Sequence, residues 1–400
     1  MTRLPSPLQP IWPLAKRLHR MTTFLSGALF RRVGVLFGDR GLPRHAGKST
    51  ALTATREPAT VTIHAAPTGE RLRREQPVGD PPDHWAFATM RSYDVPPTFT
   101  ADIAGGTVVG DYGAVITADG TFDFETSPYF AITDWREHPL FLRRLLPKAE
   151  HFDGSLLTLA TRGGSNSYYH FLLDVLPRWG IFAETMPGRE PDALFVPRST
   201  RYHRELLALS GLDRFEIAET TKHSAIRADH LLVPSQSNPM EVAPRAMVEW
   251  VRRTFPAADT SDKPSRIFVT RAGGRNTRRL IEEPELWPLL EERGFTRIDP
   301  GTMSVRDQID HFAAADVIVG IHGAALTNLV FAKPGVTVLE LFTSTYVKHC
   351  FWAITDSIEG ASYRYLIGGE PRPTGELTGI QADISIPPAT VIAAVDEMLG

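Results

Sequence analysis

Four hundred residues exceed one ordinary domain and imply two, with ample material for a core. Acids and bases are mixed and net to −3, which excludes the whole-chain electrostatics of a nucleic-acid binder, and a lone cysteine, Cys350, excludes any intramolecular disulfide. No apolar run reaches the roughly 20 residues of a membrane-spanning helix, because Arg31 and Arg32 interrupt the best candidate near the N-terminus.

In chain order, residues 1–95 read as a basic, Pro-rich leader. Its first part interleaves Lys16, Arg17, Arg20, Arg31 and Arg32 with Trp12, Leu14, Leu18, Phe24, Leu25, Leu29 and Phe30, so it is either a helix lying on an anionic membrane surface or an unstructured basic segment. Residues 40 to 95 show no sustained period and read as an extended or poorly ordered lead-in, with Trp85 and Phe87 as anchors. From Ala101 the alternation of Val, Ile and Phe with turns at Gly110-Asp111 and Asp119-Gly120 predicts a β-rich entry to the first domain; both aspartates fit turn chemistry better than metal ligation.

The stretch LLTLATRGGSNSYYHFLLDVLPRWGIF predicts a strand, a tight Gly163-Gly164 loop, an N-cap at Ser165 or Asn166, and a helix that Pro177 bends or ends. Spacing of i, i+4 and i+8 puts His170, Asp174 and Arg178 on one face, beside Asn166 and the Tyr168-Tyr169 pair. That face supplies either a general base with a phosphate or hydroxyl contact or only a solvated ion-pair row. Two more strand-like runs around 192–235 complete an α/β domain over 96–255, and the polar segment 256–264 marks a boundary to a second domain over 256–400.

The second domain opens on RIFVTRAGGRNTRRL, where Arg271, Arg275, Arg278 and Arg279 crowd a glycine-bearing loop after a strand. Such arginines repel one another unless an anion sits among them, and a diphosphate fits; the alternative is a basic patch facing solvent. A helix over Glu283 to Arg293, its stop at Gly294 and a helix capped by Ser304 follow. Val317 to Leu341 then combines a strand, the small-residue turn His322-Gly323-Ala324-Ala325, a helix ended by Lys333-Pro334-Gly335, and a strand carrying Glu340. On pattern alone the turn is equally a phosphate-binding site and an ordinary buried βαβ corner with a core histidine.

Taken together, NSYYHFLLDVLPR, FVTRAGGRN, SVRDQIDHFAAADVIVGIHGAALTNLVFAKPG and VLELF resemble glycosyltransferase family 61 over about residues 100 to 400, in the bacterial form associated with capsule and exopolysaccharide synthesis. The resemblance implies an α/β fold of GT-B type, two Rossmann-like domains facing a cleft, and metal-independent inverting transfer from a nucleotide sugar. It implies no bound cofactor; the nucleotide sugar, expected to be UDP-linked, is a co-substrate, and the acceptor is a glycan or lipid-linked glycan. By the same resemblance Arg271 and Arg275 hold the diphosphate with Arg279 close by; His322, Gly323, Ala324 and Ala325 line the pocket; Thr327 and Asn328 finish the turn; and Glu340 meets ribose hydroxyls. His170 and Asp174 face the acceptor from the other domain, with Asp174 expected as the base and His170 orienting it or exchanging roles with it; Asn166, Tyr169 and Arg178 are expected on the acceptor side, and no metal ligand is expected. Glu282 departs from the Asn common in relatives. The expected location is the cytoplasm, with the leader as a contact to the inner membrane face. The competing readings are a non-catalytic nucleotide- or glycan-binding accessory protein and a transferase of a non-sugar group.

Overall fold

The computed structural model describes residues 12–271, 278–369, 379 and 382–400. The chain divides into two compact units: the first takes the described residues up to Thr68 together with Pro97–Ser237, the second Gly69–Pro96 with the described residues from Asn238 onward.

In the first unit ten strands form one mixed sheet. Its centre is parallel and runs, across the sheet, Glu216–Glu219, Ala193–Val196, Glu150–Thr158, Ala225–Pro234. In chain order this is 3-2-1-4, the order of a dinucleotide-fold half, and it reverses between Glu150–Thr158 and Ala225–Pro234. Helices Pro177–Thr185 and Arg201–Leu209 make the crossovers. The expected β-rich entry is present: Thr107–Val109, Ala114–Ile116 and Thr121–Asp123 pair antiparallel, with turn glycines Gly110 and Gly120 at positive φ. Apolar alternation closes the core on Val108, Val115, Leu156, Phe195 and Leu231, all fully buried.

The second unit holds a six-stranded sheet in which every neighbouring pair is parallel. Its order is Thr296–Ile298, Arg266–Val269, Val317–Ile321, Thr337–Thr343, Ser362–Gly368 and finally Val78–Asp80. The first five follow the 2-1-3-4-5 doubly wound pattern, which reverses between Arg266–Val269 and Val317–Ile321. Gly294, at φ 76°, stops the helix Glu283–Glu291 after its last turn, and Ser304 caps Val305–Ala314 by accepting from the Asp307 N–H at 3.1 Å.

Three expectations change. Residues 40 to 95 are not a loose lead-in: Val61–Ala65 is a strand of the first sheet, whereas Val78–Asp80 is the edge strand of the second. Phe87 is fully buried among Phe342, Trp352 and Tyr365, but Trp85 is exposed. The chain passes to the second unit at Asn238 rather than at 256–264, because the helix Arg245–Thr254 packs there; its Arg252 donates to the carbonyls of Val330 at 2.8 Å and Ala332 at 2.7 Å.

Candidate active site

In the first unit, the residues after Glu150–Thr158 make the turn Thr161–Ser167, and Ser167, not Ser165 or Asn166, caps the helix through its side chain. Pro177 does not end this helix. Having no N–H, it leaves the Leu173 carbonyl without its helical donor, and the backbone widens into a π-turn over Phe171–Val175 in which the Leu176 N–H reaches Phe171 O at 3.1 Å. Ser237 Oγ donates to the released Leu173 carbonyl at 2.8 Å and to that of Asp174 at 3.2 Å. Asp174 lies in this π-turn, and its Oδ2 stands 2.7 Å from His170 Nδ1.

The imidazole of His170 fits because Gly163 has no side chain: a Cβ there would fall 2.5 Å from His170 Cδ2, and φ is +74°. Phe130, 40% exposed, tilts against the same imidazole at 5.0 Å, and the Arg162 guanidinium lies over the Phe130 ring at 5.0 Å. His203 fixes the loop from below by directing Nε2 at the Gly164 carbonyl, 3.1 Å away, while Nδ1 accepts from the Thr200 N–H. With Nδ1 of His170 committed to the carboxylate, Nε2 is the ring atom left for a substrate hydroxyl.

Arg178 is not on the acceptor side. It is buried and donates to Ala160 O at 2.7 Å and through Nε to Pro234 O at 3.1 Å, so it straps the two strand ends at which the sheet order reverses. Burial lowers its pKa to about 10, with Asp174 opposing, so it stays a cation. Tyr169 is buried with its ring edge on His170, and Asn166 is exposed on the loop.

The second candidate site lies at the corresponding reversal of the other sheet. Arg271 follows the strand Arg266–Val269, and His322-Gly323 follows Val317–Ile321. A Cβ on Gly323 would fall 1.7 Å from Arg271 Nη1, so the guanidinium lies directly on the glycine. Arg278, at a left-handed φ of 73°, places its guanidinium 5.6 Å above the Tyr346 ring. Among the described residues neither guanidinium has a salt-bridge partner, and the buried Nε of each lacks an acceptor. Burial, reinforced by Arg278, lowers the Arg271 pKa to about 10, and burial lowers that of Arg278. Two half-buried cations with no carboxylate at ion-pair distance among the described residues can hold an anion.

Beneath them, His322 Nδ1 stands 2.5 Å from Glu340 Oε1, and Tyr363 Oη donates to Glu340 Oε2. The imidazole stacks on Phe342 at 4.9 Å. Burial, then Arg278 and Arg271, holds the His322 pKa well below its usual value, so the imidazole is neutral; burial raises Glu340 well above the carboxylate range.

This geometry differs from the expected roles. Glu340 is fully buried with both oxygens engaged, so it orients His322 instead of meeting ribose hydroxyls. Thr327 and Asn328 are fully buried: Thr327 Oγ1 donates to Ala324 O, and Asn328 Nδ2 donates to Gln308 Oε1 at 2.8 Å, so both pin the turn. Ala324 and Ala325 stay partly open, but Ala324–Phe331 is a 3₁₀ turn rather than an α-helix. Arg279 is exposed, with its backbone N–H on Asp383, so the arginine beside Arg271 is Arg278; Arg275 lies outside the described residues. Glu282 accepts from Ser385 Oγ and the Ile386 N–H and so secures the C-terminal segment. Tyr363, Phe130, Arg162 and Ser237 carried no local signal, since each acquires its partner only when the sheets assemble.

Among the described residues, the group suited to a cation is His151, Asp153 and Asp229, all exposed, with His151 Nε2 at 3.0 and 3.3 Å from the two carboxylates. It lies at the start of Glu150–Thr158, the opposite end of that strand from His170. No helix among the described residues is long and apolar enough to cross a membrane.

Residues 168–339 match the model of the family described as Glycosyltransferase 61. The chain is also 30% identical over 119 residues to a beta-1,2-xylosyltransferase of Arabidopsis thaliana, covering 26% of this chain and 22% of the relative. It thus spans about a fifth of the length of that curated relative. The matched segment contains His170, Asp174, Arg271, Arg278 and His322 and is similar to a glycosyltransferase 61 domain.

Proposed function

We propose that the protein is an inverting, metal-independent glycosyltransferase of GT-B type that moves a sugar from a nucleotide-sugar donor to a hydroxyl of a glycan or glycoconjugate in surface-polysaccharide synthesis. The observation that carries the donor assignment is the pair Arg271 and Arg278, half-buried cations with no ion-pair partner among the described residues, at the reversal point of a doubly wound sheet. A diphosphate supplies the missing negative charge, and as the leaving group it gains most from those cations when the bond to the sugar breaks.

On the acceptor side the roles first expected of the pair are exchanged: His170 Nε2 takes the hydroxyl proton while Asp174 orients Nδ1 and stabilises the imidazolium. The acceptor oxygen bonds to the anomeric carbon from the face opposite the leaving group, and the electron pair of the broken bond goes to the diphosphate. Phe130 offers an apolar platform to a sugar ring beside that imidazole.

Product analysis with UDP-linked hexoses, UDP-xylose and other nucleotide sugars, against a glycan acceptor panel with EDTA present, tests the reading. The expected outcome is a new glycosidic product of inverted configuration from at least one donor. Nucleotide binding without any product across the panel would favour the accessory-protein reading, and transfer of a non-sugar group would replace the donor assignment.

A further inference from the structure

The helix Trp12–Val33 has one side committed to the first unit and one side open. Gly27 permits close packing, since a Cβ there would fall 3.1 Å from the Phe141 carbonyl, and Phe30 packs against the core next to it. On the open side Leu14, Leu18, Met21, Leu25 and Leu29 recur at helical spacing, each 54–67% exposed. Val35 and Leu36 extend the stripe just past the helix, at 69% and 77% exposed. Water is a poor partner for a continuous apolar surface of this kind.

Charge identifies the partner. The helix sequence contains Lys16, Arg17, Arg20, Arg31 and Arg32 and no acid, in a chain whose overall balance is −3. Next to the stripe, Ala28, Arg31, Arg32 and Arg44 line a cavity of about 380 Å³. Arg31 is held there with its guanidinium 5.3 Å from the Trp135 ring and 5.4 Å from that of Phe141, and its buried Nη1 has no hydrogen-bond partner among the described residues. An apolar stripe next to a cavity lined by three arginines matches a lipid bilayer, where acyl chains and phosphates lie a few ångströms apart in depth.

We propose that this helix docks the protein on an anionic phospholipid surface, with the stripe in the acyl boundary and a lipid phosphate in the cavity of Arg31, Arg32 and Arg44. The inference is independent of the glycosyl-transfer reading. It has a direct functional use for any enzyme whose acceptor is carried on a lipid.

The test is flotation of the full chain with vesicles of phosphatidylcholine alone or mixed with phosphatidylglycerol. Binding is expected to the mixed vesicles only and to weaken with salt. The double substitutions Leu25→Asp with Leu29→Asp, and Arg32→Glu with Arg44→Glu, are each expected to reduce it by roughly tenfold or more with the thermal transition retained. Equal binding by the wild type and both variants, or none to either vesicle, would overturn the proposal. So would saturation of the cavity by inorganic phosphate without vesicle binding, or self-association lost in the leucine variant while vesicles are ignored.

Discussion

Arg271 lies across the backbone of Gly323, with its Nη1 occupying the space where any other residue would carry a Cβ. The contact joins the ends of the two strands between which the sheet order reverses, so on the proposed function the side-chain-free turn and the arginine act together on one diphosphate. Gly323→Ala therefore acts on binding more than on folding. The overlapped atom is the tip of a long side chain that can swing away, and φ at Gly323 is 170°, which any residue adopts. The melting temperature is expected to change little, while affinity for UDP falls about tenfold, the loss of one charge-assisted hydrogen bond. Calorimetric titration beside a thermal melt separates the two.

Glu340 acts through His322. Replacing it with Ala leaves the imidazole Nδ1 and the Tyr363 hydroxyl buried without a partner and opens a void; the expected cost is about 3 kcal/mol or more. Glu340→Gln keeps the shape and one acceptor, so it should lose clearly less. Denaturant unfolding measures both. Equal stability of wild type and the alanine variant would show that the triad of Tyr363, Glu340 and His322 is not the support assigned to it.

The histidine of the other unit depends on its loop in the same way. Asp174→Asn keeps a hydrogen bond near His170 but removes the charge that stabilises an imidazolium, so turnover should fall about 100-fold or more while UDP affinity is unchanged. Gly163→Ala should lower turnover as well, because a Cβ displaces the His170 ring and the backbone stands at φ +74°. Steady-state kinetics with donor and acceptor varied in turn distinguish these losses from weakened donor binding.

Acid should loosen that loop through His203. Burial lowers its pKa from 6.5 to about 4, so the native imidazole stays neutral while the unfolded one takes a proton as pH drops. The unfolded state then binds more protons, and stability is lost as pH falls from 6.5 towards 4, by about 3 kcal/mol at the end of that range. Asp123, raised by burial to about 6, titrates with the opposite sign, so the comparison that isolates His203 is wild type against His203→Gln across this range. The variant's stability should depend less on pH.

Much of this architecture was legible in the sequence because it follows from local chemistry. Gly294 as a helix stop, Ser304 as a cap, the hairpin turns at Gly110 and Gly120, and the strand before the Arg271 loop are each decided within a few residues. What escaped depends on distant partners. Val78–Asp80 has only 3 residues and becomes a strand because Ser362–Gly368 presents an edge to it. Arg178 keeps the helical spacing of an exposed ion-pair row, yet a π-turn before Pro177 and two strand-end carbonyls draw it inside. Glu340 sits where ligands collect in parallel sheets, but only the neighbouring strand shows that Tyr363 already occupies it.

The most direct test of the account is titration of the full chain with UDP in the presence of EDTA, for the wild type and for the double variant Arg271→Ala with Arg278→Ala. Saturable binding by the wild type, weakened about 100-fold or more in the variant, is the predicted result, since two charge-assisted contacts are removed. Binding of equal strength by both proteins would contradict the assignment of the diphosphate to this site.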